Sequence, residues 1–281
     1  MSSPPYPAPS PAPKYVSLGY RCSSAGILKR LGLKTESFPF DWMVSRLPII
    51  EHCIATHFVY LVDPANYTKK QTHITHYHRG TTPTPRKIAD ETVYENHYYE
   101  TQHPEFRQLV STQIPRPLSV ETGDTYASLC VINHRNILEE DTQSYYARCV
   151  SRWSELSPSH VPTHVPPHVH GLYIHPTMTE PEYSAQRETL VAEFLRFKRD
   201  VLPEWTSILF FIMVRTEHPY PITQYVDSFL EIVAEDAGVK IVRVYTNEDF
   251  IDAGEIFMQN AYIETDAMCH FLRSEWNPPT R

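Results

Sequence analysis

The segment at residues 15–42, which reads YVSLGYRCSSAGILKRLGLKTESFPFDW, places the strongest constraint on the fold. A short run typical of a β-strand, residues 15–18, is followed by Gly19 and then by apolar residues at helical spacing. A strand, a glycine turn and a helix start direct backbone N–H groups and the positive end of the helix dipole toward the turn. This turn carries Arg21 and Cys22, so it could bind phosphate or lower the pKa of a thiol.

Farther along the chain, strand-like runs alternate with helix-like segments. Strands are predicted at residues 126–132, 172–175, 208–214 and 239–245, and helices at residues 47–58, 139–156, 182–201 and 225–237. The alternation predicts the α/β fold class, with a mainly parallel Rossmann-like sheet and helices on both faces, arranged as one unit or as two α/β halves. Ligands of such sheets bind at the C-terminal ends of the strands.

The remaining segments are assigned by composition. Residues 1–14 are rich in proline and predict a disordered tail, which leaves residues 15–281 as the catalytic α/β domain. Residues 63–125 are rich in Thr, His, Tyr and Pro and weakly periodic, which predicts an excursion that covers the active face as a lid. Residues 157–170 contain four histidines between prolines, a pattern that favours a solvated loop over a dedicated metal site.

Overall composition limits the class of partner and the compartment. A net charge of −8 argues against a general binder of nucleic acid or anionic membranes. The five cysteines are widely spaced without a CxxC pair, so neither a disulfide framework nor a zinc finger is indicated and a reducing compartment fits best. No apolar run approaches the length of about 20 residues that a spanning helix needs, and residues 1–13 lack the pattern of a signal peptide. We therefore expect a soluble, cytoplasmic protein.

Polar residues that follow the predicted strands form the candidate binding site. They are Ser17, Gly19, Tyr20, Arg21 and Cys22 after the first strand, His134 and Arg135 after a middle one, and Arg215, Thr246 and Asn247 after later ones. Guanidinium groups bind phosphate oxygens in bidentate fashion, so arginines at several strand ends would suit the diphosphate of a nucleotide sugar. Each arginine could equally form a surface salt bridge.

Asp41 is the first candidate for a general base. It lies within FPFDW, where bulky apolar neighbours disfavour the charged form and raise the pKa of a carboxyl group. His134 is the second candidate. Asp41 could instead cap a helix or hold Arg21.

Aromatic and histidine side chains are candidates for contacts with an acceptor glycan. They include Trp42, His76 and Tyr77, although residues of the excursion could also form a satellite core. No DxD pair occurs in the sequence, so we predict a reaction that needs neither metal nor cofactor.

Cys22 offers a competing chemistry. A thiolate at a helix N-terminus is activated by the dipole, and a cysteine peptidase would need a histidine base and an orienting Asn or Asp. Cys22, His134 and Asn247 occur in that order, but 15 histidines make some such order easy to find. The residues after Cys22 also lack the aromatic neighbour found next to the papain cysteine.

The motifs SLGYRC and FPFDW carry a resemblance to a known family. The chain resembles the family described as papain-like cysteine peptidases, whose members open with a strand, SLGxxC, a helix and a PFDW-like box. The family also includes proteins of large algal DNA viruses that look like β-xylosyltransferases building a capsid glycan. This resemblance implies an inverting glycosyltransferase that transfers xylose from UDP-xylose to a glycan acceptor. The alternative is a cysteine peptidase or acyl-transfer enzyme that uses Cys22.

Overall fold

A computed structural model of the chain describes residues 14–19, 22–77, 85–104, 106, 130–132, 135–156, 169–174, 178–179, 192–202, 206–215 and 239–247. The strands are β1 (Lys14–Ser17), β2 (Met43–Val44), β3 (Tyr67–Tyr77), β4 (Pro85–Asn96), β5 (Val131–Ile132), β6 (Val169–Ile174), β7 (Met178–Thr179), β8 (Thr206–Arg215) and β9 (Val239–Asn247). The helices are α1 (Cys22–Arg30), α2 (Leu47–Ala55), α3 (Val59–Val62), α4 (His97–Gln102) and α5 (Glu140–Leu156). Residues 192–201 are also helical and are called α6 here.

One sheet is built around β8. Strand β6 pairs with β8 and with β1, while β7 and β9 also pair with β8, and all of these pairs are parallel. The central strand reads TSILFFIMVR, a nearly continuous apolar run of the kind found in parallel strands. In the register of this sheet, Ser17 is level with Leu172 of β6 and with Ile208 of β8.

A second sheet is antiparallel throughout, with strand order β2-β5-β4-β3. Its longest pair is the hairpin of β3 and β4, which runs from Tyr67 opposite Asn96 to Tyr77 opposite Pro85. Strand β5 joins this hairpin to the N-terminal region, because Ile132 lies opposite both Tyr94 and Met43.

The antiparallel sheet corrects the fold predicted from the sequence. The expectation of a mainly parallel Rossmann-like architecture, with one or two α/β halves, is wrong. Of the strand predicted at residues 126–132, residues 126–129 lie outside the described residues, and Val131–Ile132 pairs with antiparallel neighbours. The excursion predicted at residues 63–125 supplies both strands of the hairpin, whose cross-strand pairs stabilise Thr- and Tyr-rich strands that looked weakly periodic in the sequence.

Two of the predicted helices are confirmed by the structure. The helix expected after the Gly19 turn is confirmed as α1, and the helix predicted at residues 139–156 is confirmed as α5. The first turn of α5 carries Glu140 and Asp141, where carboxylates interact favourably with the helix dipole. Residues 1–13 of the tail predicted at residues 1–14 and the helix predicted at residues 225–237 lie outside the described residues, while Lys14 is the first residue of β1.

One hydrophobic core connects the two sheets. It includes Val16 of β1 and Ile132 of β5, both with no exposed surface. Phe40 belongs to the same core, and its ring centroid lies 5.6 Å from that of Phe58 and 5.3 Å from that of Trp153 of α5. Residues 38–41, at the end of the segment between α1 and β2, are therefore buried in the core.

Candidate active site at the Gly19 turn

The turn between β1 and α1 is fastened by two buried hydroxyl groups. Ser17 and Ser24 hydrogen-bond to each other through their side chains, and the Gly19 N–H donates to Oγ of Ser17 at 3.3 Å. The Ser24 hydroxyl in turn donates to the Gly19 carbonyl at 3.5 Å. These bonds attach the last residue of β1 to the first turn of α1, which begins at Cys22.

Gly19 brings the two sequence motifs together. Its φ of +86° lies in the left-handed region, which glycine adopts without strain. A Cβ atom at this position would lie 2.8 Å from Oγ of Ser45 and 3.3 Å from Cβ of Phe40. The SLG turn therefore packs directly against the FPFDW box and the residues that follow it.

Asp41 of that box is buried, with no exposed surface. Its Oδ2 accepts hydrogen bonds from the Lys34 ammonium group and, at 2.8 Å, from the Phe38 N–H. Burial raises the pKa of Asp41, while the neighbouring Lys34 and the Phe38 N–H act in the opposite direction. A raised pKa was expected from the sequence, but a fully buried carboxylate held by a lysine favours the structural alternative over contact with a substrate.

Three cysteines with described side chains are fully buried. Cys53, Cys130 and Cys149 are free thiols with no exposed surface. Burial raises the pKa of each of them, to about 12 for Cys53, whose sulfur also lies 2.9 Å from the Tyr99 hydroxyl oxygen. A thiol must ionise to act as a nucleophile, so these three are unsuited to catalysis.

A comparison with family profiles places the site in context. Residues 13–165 match the profile of a family described as "Putative papain-like cysteine peptidase". The match covers more than half of the 281 residues. The chain belongs to this family. A search of curated proteins gave no significant match, and a search of solved structures gave none either.

The family assignment corrects the predicted activity. The expectation of an inverting glycosyltransferase using UDP-xylose is wrong, because the match is to a peptidase family and no comparison points to glycosyl transfer. The nucleotide-sugar donor and the glycan acceptor predicted as partners have no support. What the family match favours is the alternative, a cysteine peptidase or acyl-transfer enzyme.

The strand-end residues predicted to grip a diphosphate lie apart in the structure. Arg215 and Asn247 are register partners at the ends of β8 and β9, and Thr246 is the residue before Asn247. Arg215 comes seven residues after Ile208, the residue level with Ser17. A β-strand rises about 3.3 Å per residue, so Arg215 and its register partner Asn247 lie about 23 Å beyond Ser17 along the strand direction.

The other candidates occupy different surroundings. Arg135 is exposed and its guanidinium carbon lies 3.8 Å from the centroid of the Tyr145 ring. Trp42 is half-buried against the core. His76 and Tyr77 belong to the far end of β3, about 30 Å from the Tyr67 end of the hairpin at about 3.4 Å per residue.

Part of the predicted site is not described. Tyr20, Arg21 and His134 lie outside the described residues, and Cys22 is described through its backbone alone. The histidine-rich loop at residues 157–170 is described only at its last two residues, in β6. Within the described part of the chain, no group of three or more His, Cys, Asp or Glu side chains is placed to hold a metal ion. The expectation of a metal-free reaction stays a prediction.

Three residues of the site were missed by the reasoning from sequence. They are Lys34, Ser24 and Ser45, which contact Asp41, Ser17 and the Gly19 turn respectively. The only local signal was for Lys34, a cation seven residues before Asp41. Among the helices that the structure describes, none combines the length and the apolar character that a membrane span requires.

Proposed function

We propose that the chain is a cysteine peptidase or a closely related acyl-transfer enzyme, and that Cys22 is its nucleophile. The family match covers four of the five cysteines, at positions 22, 53, 130 and 149. Three of these are buried thiols whose pKa is raised by burial. The fourth, Cys22, is the first residue of a helix that follows a glycine turn. This contrast is the observation that carries the proposal.

The position of Cys22 suits nucleophilic chemistry. The first N–H groups of any α-helix have no partner within the helix, and the helix dipole makes this end positive. Both effects stabilise a thiolate and lower the pKa of a cysteine at a helix start. The same N–H groups are also the kind of donor that stabilises the oxyanion of a tetrahedral intermediate.

The reaction would follow the usual course of thiol acyl transfer. The Cys22 thiolate attacks the carbonyl carbon of an amide, and the oxyanion collapses as the C–N bond breaks. A histidinium donates its proton to the departing amine, which leaves a thioester on Cys22 and a neutral imidazole. Water, deprotonated by that imidazole, then attacks the thioester and releases a carboxylic acid and the Cys22 thiolate, which restores the starting thiolate and histidinium; an amine in place of water would give acyl transfer instead.

His134 is the histidine that we propose as the base. It follows Ile132 by two residues, and Ile132 lies opposite Met43, which directly follows the FPFDW box. The FPFDW box packs on the Gly19 turn, so β5 ends beside the strand that directly follows this box. Asn247 is not part of this proposal, since the register of the parallel sheet places it level with Arg215 rather than with Ser17.

A reducing compartment such as the cytoplasm fits the same chemistry. Cys53, Cys130 and Cys149 are free thiols in the structure, and oxidising compartments favour disulfides. A catalytic thiolate also needs reducing conditions to escape oxidation. We therefore include a reducing location in the proposal.

The test combines labelling with activity. The purified protein is treated with iodoacetamide between pH 5 and 9 and the modified cysteine is identified by mass spectrometry. We expect Cys22 to react fastest and with an apparent pKa well below the usual value of about 8.5. A peptidyl vinyl sulfone probe and a peptide-library digest then report activity, which Cys22→Ala should abolish.

Cys269→Ser is the matched control, because Cys269 lies outside the family match. It should leave labelling by the peptidyl probe and any hydrolysis unchanged. If Cys22 titrates as an ordinary thiol and Cys22→Ala has no effect on probe labelling, the proposed function is wrong.

A further inference from the structure

The segment between α1 and β2 contacts the C-terminal end of α1 and the Gly19 turn, which precedes its N-terminal end. At the C-terminal end, the backbone N–H groups of Leu33 and Lys34 donate to the carbonyl of Leu28 at 2.9 and 3.1 Å. At the N-terminal end, Phe40 packs on Gly19, where a Cβ atom would come within 3.3 Å of Cβ of Phe40. A helix of nine residues is about 13 Å long, so this segment follows α1 along its length.

The two contacts are joined by one buried ion pair. Lys34, next to the C-terminal end of α1, reaches Asp41, the neighbour of Phe40. The Lys34 side chain is 7% exposed and that of Asp41 is 0% exposed. Asp41 also closes the FPFDW turn by accepting the Phe38 N–H, while its own N–H donates to the Phe38 carbonyl at 3.3 Å.

Buried charge of this kind is costly to form. An ion pair taken out of water loses much of its hydration, and replacing both charges with apolar groups is often neutral or favourable. Oδ1 of Asp41 is buried with no hydrogen-bond partner among the described residues, which adds to the cost. A role in specifying geometry would explain why this pair is retained.

We infer that Lys34 and Asp41 act as a positioning pair that sets the place of the Gly19 turn and hence of Cys22. The pair fixes Phe40, Phe40 packs on Gly19, and the Ser17–Ser24 bond ties that turn to the start of α1. Neither Lys34 nor Asp41 touches substrate in this scheme. The inference rests on the proposed function insofar as Cys22 is the nucleophile.

The same segment supplies a matched control. Glu36 pairs with Lys14 at 3.2 Å, and their side chains are 35% and 32% exposed. Glu36→Gln and Asp41→Asn therefore make the same chemical change in one short segment, in an ion pair that is about one third exposed and in a buried one. An exposed pair contributes little to structure, so Glu36→Gln should behave as the wild type.

The test measures Cys22 and α1 separately in the full-length protein. The rate of Cys22 carboxamidomethylation is followed from pH 5 to 9, and hydrogen exchange is followed for the amides of residues 22–30. Asp41→Asn and Lys34→Met should each slow labelling below neutral pH by about tenfold, which corresponds to about one unit in the pKa of Cys22. Both variants should also speed exchange at the start of α1.

The possible outcomes separate this inference from the proposed function. Fast wild-type labelling at low pH that neither variant alters would overturn the positioning role and leave the proposed function standing. If Cys22 of the wild type is labelled with the pH dependence of an ordinary thiol, the proposed function is overturned. Hydrogen exchange in residues 22–30 would then still decide whether Lys34 and Asp41 stabilise the start of α1. If Asp41→Asn fails to fold, Lys34→Met and the double variant test the inference instead. The inference requires the double variant to fold and to show slow labelling of Cys22 and fast exchange at the start of α1.

Discussion

Gly19 and Ser45 approach each other so closely that a Cβ atom on Gly19 would lie 2.8 Å from Oγ of Ser45. Gly19 belongs to the SLGYRC motif, and Ser45 follows the FPFDW motif by three residues. Ser45 has no exposed surface, and its hydroxyl has no hydrogen-bond partner among the described residues. Any side chain at position 19 is therefore disfavoured twice, by the positive φ of the backbone and by the lack of space next to Ser45.

Gly19→Ala should destabilise the protein more than alanine at Gly32 or at Gly26. Gly32 also has a positive φ, of +70°, but a Cβ there would meet nothing within 4 Å. Gly32→Ala should therefore lose only the conformational term, about 1 kcal/mol, and Gly19→Ala that term plus a steric one. Gly26, inside α1 with open space around it, should gain about 0.5–1 kcal/mol as alanine. Urea unfolding measures all three, and equal losses for Gly19→Ala and Gly32→Ala would contradict the contact with Ser45.

Phe40→Ala should be among the most damaging single substitutions in the core. The side chain has no exposed surface and packs against Phe58 and Trp153. Loss of its buried area and the cavity left behind should reduce the free energy of unfolding by about 3–5 kcal/mol. Val59→Ala is the control, because Val59 is 55% exposed and should change stability by about 0.5 kcal/mol or less. Thermal and urea unfolding would report the difference; a similar small effect for both variants would place Phe40 outside the core.

The local part of the site could be predicted from the sequence because its signals are local. A β-type run, Gly19 and apolar residues at helical spacing predicted a strand, a turn and a helix, and the structure has β1 and α1 there. The bulky neighbours of Asp41 likewise predicted a raised pKa, which burial produces. None of these inferences needs knowledge of a distant part of the chain.

The sheet pairing and the activity could not be predicted in this way. The opposition of Met43 and Ile132 joins distant segments, and a two-residue strand carries too little pattern to reveal its partner. The burial of Cys53 was equally hidden, since it arises from tertiary packing that the local sequence around this residue does not reveal. Strand-end arginines suggested a diphosphate site, but only the register showed that Arg215 extends well beyond the level of Ser17.

The three buried thiols should resist alkylation in the folded protein. Cys53, Cys130 and Cys149 have no exposed surface, and burial raises the pKa of each, so little thiolate is present at neutral pH. In a Cys22→Ala/Cys269→Ser background, we expect iodoacetamide at pH 8 to label these thiols only as fast as the protein unfolds. Urea should raise the labelling rate in parallel with the unfolded fraction. Rapid labelling of any of the three in the native state, before urea is added, would contradict the burial that separates them from Cys22.

Asp41 should give the stability of the protein a characteristic pH dependence. Its pKa is raised in the folded chain by burial, despite the opposing effect of Lys34. The folded state therefore holds this proton more tightly than the unfolded state, whose aspartate pKa is about 3.9. The stability that this group contributes is full below that value and is lost as the pH rises through the folded-state pKa. Asp41→Asn removes this titration. As the pH rises through this window, the free energy of unfolding of the wild type should therefore fall relative to that of the variant. At higher pH the two curves should run parallel. Urea unfolding of both proteins at half-unit steps from pH 3.5 to 8 measures the difference, and a wild-type curve that instead rises relative to Asp41→Asn would show that Lys34 outweighs burial and that the carboxylate is favoured in the fold.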